Sequence, residues 1–181
     1  MPLITFEAPA FTIGQRTILR LPQAASLQLP SRGQTMVKGT INGYAFHTAL
    51  EPDGRGGHWL NVDEPMQKAA AVAAGGTASL EIEPTKEWPE PHIPTDIGDA
   101  LAARDDIQPL WADITPMARW EWIRWIGATN NTETRQRRIE VALSKLSHGE
   151  RRPCCFNRSM CCIPEVSQNG ALLEPETATG K

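Results

Sequence analysis

Apolar and polar residues alternate with a period of two through the first half of the chain, and with a period near 3.6 through the second. The alternation predicts short strands at residues 3–7, 16–21, 35–41, 44–50, 58–62 and 77–83. In the run 35–41, Val37, Gly39 and Ile41 share one face; in 77–83, Ala78, Leu80 and Ile82 do. Asn42-Gly43 between two such runs is a strong hairpin signal, because a type I′ turn needs positive φ at both central residues. Glu51-Pro52-Asp53-Gly54-Arg55-Gly56-Gly57 reads as a loop. Asp63 is a helix cap with Pro65 in the first turn, so an alanine-rich helix is expected over 66–74, stopped by Gly75-Gly76. Five or six short strands and one helix predict a small barrel with an inserted helix.

The pattern changes after residue 83. Pro84, Trp88, Pro89, Pro91 and Pro94 mark a linker. Helices follow at 95–104, 107–113 and 116–128, the last opened by Thr115-Pro116. On it Ala118, Trp122, Trp125 and Ile126 form one apolar stripe. Asn130-x-x-Glu133 resembles a capping box for a final helix striped by Ile139, Ala142, Leu143 and Leu146, with Gly149 as its stop. From Pro164 the tail is polar and without periodicity, so it is expected to be disordered. The expected fold is therefore α+β. A barrel domain (1–86) and a linker (87–94) precede a helical domain (95–150) and a Cys/Arg-rich segment with a tail (151–181).

Composition adds limits. The 181 residues carry a net charge of -3, which argues against bulk binding to nucleic acid or anionic membranes. The charge is uneven: residues 115–160 hold nine Arg or Lys against four Glu. No basic leader with an apolar core opens the chain, and no apolar run approaches the roughly 18 residues of a membrane span. The expectation is a cytoplasmic protein.

The order of elements resembles a bacterial family known as YdeI/OmpD-associated, or bacteriocin-protection-like. Val37-Lys38-Gly39-Thr40-Ile41-Asn42-Gly43, Gly57-His58-Trp59-Leu60 and Pro94-Thr95-Asp96-Ile97 with Ala100-Leu101 carry the resemblance in the first part. Trp125-Ile126, Thr134-Arg135-Gln136-Arg137-Arg138-Ile139 and Gly149-Glu150-Arg151-Arg152-Pro153 extend it, so that it covers roughly residues 3–162. The resemblance implies a small double-split-like barrel followed by a short helical domain. It brings no catalytic residues, and the family name points to stress or envelope-related protection.

Candidate chemistry clusters near the C-terminus. All 4 cysteines, Cys154, Cys155, Cys161 and Cys162, lie within nine residues, beside Arg151, Arg152 and Arg158. Four thiolates suit zinc, and neighbouring cations favour the thiolate form. The vicinal pairs depart from the usual C-x₂₋₄-C knuckles, so free or redox-labile thiols are the plainer reading and no cofactor is expected. His148 is near enough in sequence to replace one sulfur. Arg135 falls on the apolar stripe of its helix and Arg138 flanks it; such cations usually pair with an internal carboxylate, or else line an anion pocket with Arg151 and Arg152. Trp120 lies opposite its helix's apolar stripe, as a partner-binding anchor or a cation–π partner of Arg124. The glycines around Arg55 could cradle an anion, but no helix follows and a hairpin loop is the better reading.

No nucleophile or acid–base pair stands out, so an enzyme is the least supported reading. The leading one is a non-enzymatic module that binds a protein or small anionic ligand through Trp120, Arg135, Arg138, Arg151 and Arg152. The alternative is a metal-binding or redox-responsive protein using the cysteine cluster.

Overall fold

The computed structural model describes residues 2–153 and 172–174. They fall into two compact units, residues 2–87 with 172–174, and residues 88–153.

Unit one is a closed antiparallel barrel in the order β1-β2-β5-β4-β3-β6. Its strands are β1 (Ile4–Ile13), β2 (Arg16–Arg20), β3 (Thr35–Ile41), β4 (Tyr44–Pro52), β5 (His58–Val62) and β6 (Thr77–Pro84). The alternation has the expected outcome: Ile4, Ala8, Val37, Ile41, Leu80 and Ile82 are buried in one core. At the β3–β4 turn, Asn42 and Gly43 both have positive φ, 48° and 83°. The Asn42 side chain also donates to the carbonyl of Ala70 at 2.9 Å and accepts from the amide of Ser79 at 2.9 Å, tying the turn to its neighbours.

The first strand is twice the expected length. Pro9 reads as a strand stop, because proline has no N–H for a ladder. In the fold Pro9 sits where β1 changes partner. Residues from Ile4 to Pro9 pair with β6, and those from Ala10 to Ile13 pair with β2. A single-turn helix, α1 (Gln23–Ser26), follows β2 without any apolar period to announce it. Helix α2 (Glu64–Ala69) starts as expected, with Asp63 accepting from the amide of Met66 at 2.9 Å. It ends before the glycines: Ala71 adopts φ 51°, and the chain turns so that Ala70 and Val72 are both buried.

Unit two holds α3 (Thr95–Ala102), α4 (Gln108–Asp113), α5 (Pro116–Gly127) and α6 (Thr132–Ser147). Their apolar stripes meet around fully buried Trp122, with Ile97, Ile114, Ile126, Ile139 and Leu146. Trp125 is half-buried and packs edge-on to Trp122, with ring centroids 6.2 Å apart. Thr115 caps α5 by accepting from the amide of Ala118 at 3.2 Å. The cap of α6 is Asn131, one residue later than expected; its side chain accepts from the amide of Thr134 at 2.8 Å. Helix α3 is clamped to α6 by Asp96 and Arg135, with Nε to Oδ2 at 2.7 Å and Nη2 to Oδ1 at 3.0 Å.

The proline-rich connection divides between the units. Thr85 donates to the carbonyl of Met36 at 2.9 Å and His47 Nε2 donates to the carbonyl of Glu87 at 3.0 Å. From Trp88 onward the contacts are with the helices. The tail also departs from expectation within its described residues. Leu172 is buried, and Glu174 is ion-paired with Arg20 and Arg55 of the barrel.

Two predictions follow from these contacts. A Cβ on Gly39 would lie 1.9 Å from the carbonyl oxygen of Glu81 on the neighbouring strand, which is backbone and cannot swing aside. Gly39→Ala is expected to destabilise the barrel by about 3 kcal/mol or more and to lower its melting transition clearly in circular dichroism. An unchanged transition would mean that β3 and β6 do not approach this closely. The second concerns acid. The hydrogen bond from Arg135 holds the Asp96 carboxyl below its ordinary range. A depressed carboxyl contributes stability above its unfolded value, and the contribution disappears as pH falls through the folded value. Asp96→Asn should therefore cost less than about 1 kcal/mol near neutral pH, since the pair is half exposed. The gap between variant and parent should close below roughly pH 4 in denaturant titrations. A gap that persisted into stronger acid would assign the effect to something other than the carboxylate.

Candidate functional site

Arg135, Arg138, Arg151 and Arg152 lie in unit two, and each is engaged; Arg158 lies outside the described residues. Arg135 grips Asp96 with two hydrogen bonds, which raise the guanidinium's pKa as they lower that of the carboxyl. Arg138 turns to the end of α5. Its Nη1 donates to the carbonyls of Trp125 at 2.9 Å and Ala128 at 3.0 Å, and its guanidinium lies 5.6 Å from the centre of the Trp125 ring. A cation here satisfies orphan carbonyls and the negative end of the helix dipole. Trp120 is half-buried. Its indole N–H donates to the carbonyl of Pro89 at 2.7 Å, and its ring meets Trp88 edge-on at 6.2 Å. These three residues hold helices and the strap together.

Arg151 and Arg152 are placed differently. Their side chains are 52% and 53% exposed. Arg151 Nη2 donates to Asp113 Oδ2 at 2.8 Å and to its carbonyl at 3.2 Å; Arg152 Nε lies 3.0 Å from Glu121 Oε2. The backbone beneath is fixed, because the buried Trp122 indole donates to the carbonyl of Arg151 at 3.1 Å. Two cations adjacent in sequence thus stand on a firm support, held mainly by the carboxylates of Asp113 and Glu121. Arg151 and Arg152, neighbours in the chain, pair with Asp113 and Glu121 respectively, and Arg135, Arg138 and Trp120 have separate structural partners.

Sequence reasoning missed Arg119, whose side chain is only 12% exposed. Its Nε and Nη2 donate to the carbonyls of Trp111 at 3.0 Å and Ala112 at 2.8 Å, closing the end of α4. Its Nη1 reaches both oxygens of Glu90, at 2.6 and 2.7 Å. The acid-rich strap could have suggested a basic partner, but nothing local in the sequence selects Arg119 over Arg124.

In the barrel, the glycine loop cradles a carboxylate of its own. Asp53 Oδ1 accepts from the amides of Arg55 and Gly57, both at 2.8 Å. Buried His58 donates from Nε2 to the carbonyl of Gly33 at 3.0 Å, and its own amide donates to Ser26 Oγ at 3.1 Å; it is a packing residue at a strand end. An open depression of about 710 Å³, lined by Arg16, Asn61, Asp63, Gln67 and Lys68 among others, lies beside α2. Its charged groups are partly used up internally, since Lys68 pairs with Glu64 at 2.7 Å and Asp63 caps the helix.

Cys154, Cys155, Cys161 and Cys162 lie outside the described residues. Among the described residues no three His, Asp or Glu side chains converge as a metal site. No helix among them is long and apolar enough to cross a membrane.

Comparison with known proteins agrees with the division into two units. Residues 6–82 match a domain of unknown function, DUF1905. Residues 90–149 match the family described as Bacteriocin-protection, YdeI or OmpD-Associated. No curated protein matches the chain. The barrel is thus a DUF1905 domain, and residues 90–149 form a domain of the YdeI/OmpD-associated, bacteriocin-protection family.

Proposed function

We propose that this protein is a non-enzymatic, cytoplasmic interaction module that binds an acidic protein segment or small anion at the Arg151–Arg152 edge of its helical unit. One observation carries the reading. These cations are more than half exposed, sit on a backbone anchored by Trp122, and are held by surface carboxylates of Asp113 and Glu121. Exposed ion pairs contribute about 0–1 kcal/mol each, so a partner's acids can replace Asp113 and Glu121 at small net loss. Arg135, Arg138 and Trp120 support the edge by fixing α3, α5 and the strap, rather than by touching the partner. The family description, with its reference to bacteriocin protection, fits a role in stress protection exercised through binding.

The expected result comes from titrating the protein with a hexaglutamate peptide and, separately, with inorganic pyrophosphate, followed by nuclear magnetic resonance. Shifts should centre on Arg151 and Arg152. An Arg151→Gln/Arg152→Gln variant should bind about 10-fold more weakly or worse, while Arg137→Gln, exposed on α6, should bind like the parent. Equal binding by all three proteins, or no binding by the parent, would remove this edge as the site.

A further inference from the structure

Leu172, Leu173 and Glu174 lie against the barrel beside the loop that follows β4. Leu172 donates its amide to the carbonyl of Asp53 at 2.9 Å, and its side chain is only 1% exposed. Leu173 faces outward at 41% exposure. Glu174 stays exposed but is ion-paired to the barrel, with Oε1 accepting from Arg55 Nη1 at 2.9 Å and from Arg20 Nη2 at 3.2 Å. The accepting carbonyl belongs to the loop that follows β4, so one backbone bond and side-chain contacts two residues apart hold the segment on the barrel, a mode by which extended peptides are taken up.

The barrel sets up both cations independently of the tail. Arg20 ends β2, paired in register with Trp59, and its guanidinium lies 5.9 Å from the centre of the Phe11 ring. Arg55 is carried on the loop that the Asp53 carboxylate locks through the amides of Arg55 and Gly57. Hydrogen bonding from Arg20, and then the Arg20 charge, hold the Glu174 carboxyl below its ordinary range. The Nε of Arg20 is buried and has no hydrogen-bond partner among the described residues. The resident segment therefore leaves one donor of the seat unused, as suits an occupant that can be displaced.

We infer that this seat on the barrel docks an extended segment of a partner protein that carries an apolar residue two positions before a carboxylate, and that Leu172-Leu173-Glu174 holds the seat in cis until such a segment replaces it. Membership of the same chain gives the resident segment an effective concentration on the order of millimolar, enough to exclude weak competitors. The inference is independent of the Arg151–Arg152 edge, since it concerns the other unit.

The test uses a chain ending at Ala171 and a synthetic peptide spanning residues 169–178. The peptide should bind the shortened chain, and bind the full chain at least ~10-fold more weakly because the resident segment competes. Replacing the leucine of the peptide that corresponds to Leu172 with alanine should abolish binding, and Arg20→Gln or Arg55→Gln in the shortened chain should weaken it. A folded shortened chain that ignores the peptide would overturn the inference, as would equal binding to both chains. If the shortened chain does not fold, full-length Glu174→Lys serves instead: it should bind the peptide more tightly than the parent, and equal binding overturns the inference. Sedimentation decides the last point, because a dimer that dissociates on shortening would show the segment docking in a second copy.

Discussion

Closure of the barrel rests on one strand serving two neighbours. β1 gives its first six residues to β6 and its last four to β2, and without that division the sheet would have two open edges. The change of partner falls at Pro9, the residue with no N–H to lose. The next residue, Ala10, donates to the carbonyl of Gly76 at 2.7 Å, while Gly75 donates back to the carbonyl of Ala10 at 2.8 Å. The close approach of β3 to β6 at Gly39 completes the ring. Everything else in this unit, including the loop that presents Arg55, hangs on strands whose directions closure has fixed.

The helical unit solves a different problem. Its helices are short, and each leaves carbonyls at its end with no partner inside the helix. Arginine supplies the donors: Arg119 closes α4, and Arg138 closes α5. Their planar, multi-donor heads can satisfy several acceptors at once, which lysine's point charge does less well. The local excess of positive charge is therefore largely a structural device. What remains for a partner is the pair whose acceptors are mainly surface carboxylates.

This explains what the sequence does and does not disclose. Patterns with a fixed period were legible: the Asn42-Gly43 hairpin, the inward faces of β3 and β6, the stripe through Ala118, Trp122 and Ile126, and the caps at Asp63 and Thr115. Each depends on residues within one or two turns of each other. The extension of β1 past Pro9 was not legible, because a proline is tolerated only where two pairings meet, which is a property of topology. The position of Arg135 on an apolar stripe did announce a carboxylate partner, but not which one: Asp96 lies 39 residues away. The separate acceptors of Arg138, Arg151 and Arg152 were hidden for the same reason. Leu172 was overlooked because the short apolar run Ala171-Leu172-Leu173 in a polar segment shows no period.

The contacts of Leu172 and Glu174 differ in what they can contribute to holding a segment on the barrel. Burying a leucine side chain is worth about 1.5–3 kcal/mol. The pairs of Glu174 with Arg20 and Arg55 are substantially exposed and fall in the range of about 0–1 kcal/mol each. Affinity in the seat is then set chiefly by the apolar residue, and the carboxylate sets register, since a shift by one residue would turn Leu172 out to solvent and bring Leu173 inward. Register matters here, because among the described residues one main-chain bond, from Leu172 to Asp53, ties the segment to the barrel. A seat built this way discriminates by the spacing of two side chains rather than by charge alone. That separates it from the Arg151–Arg152 edge, where no buried apolar residue fixes the position of an incoming acid.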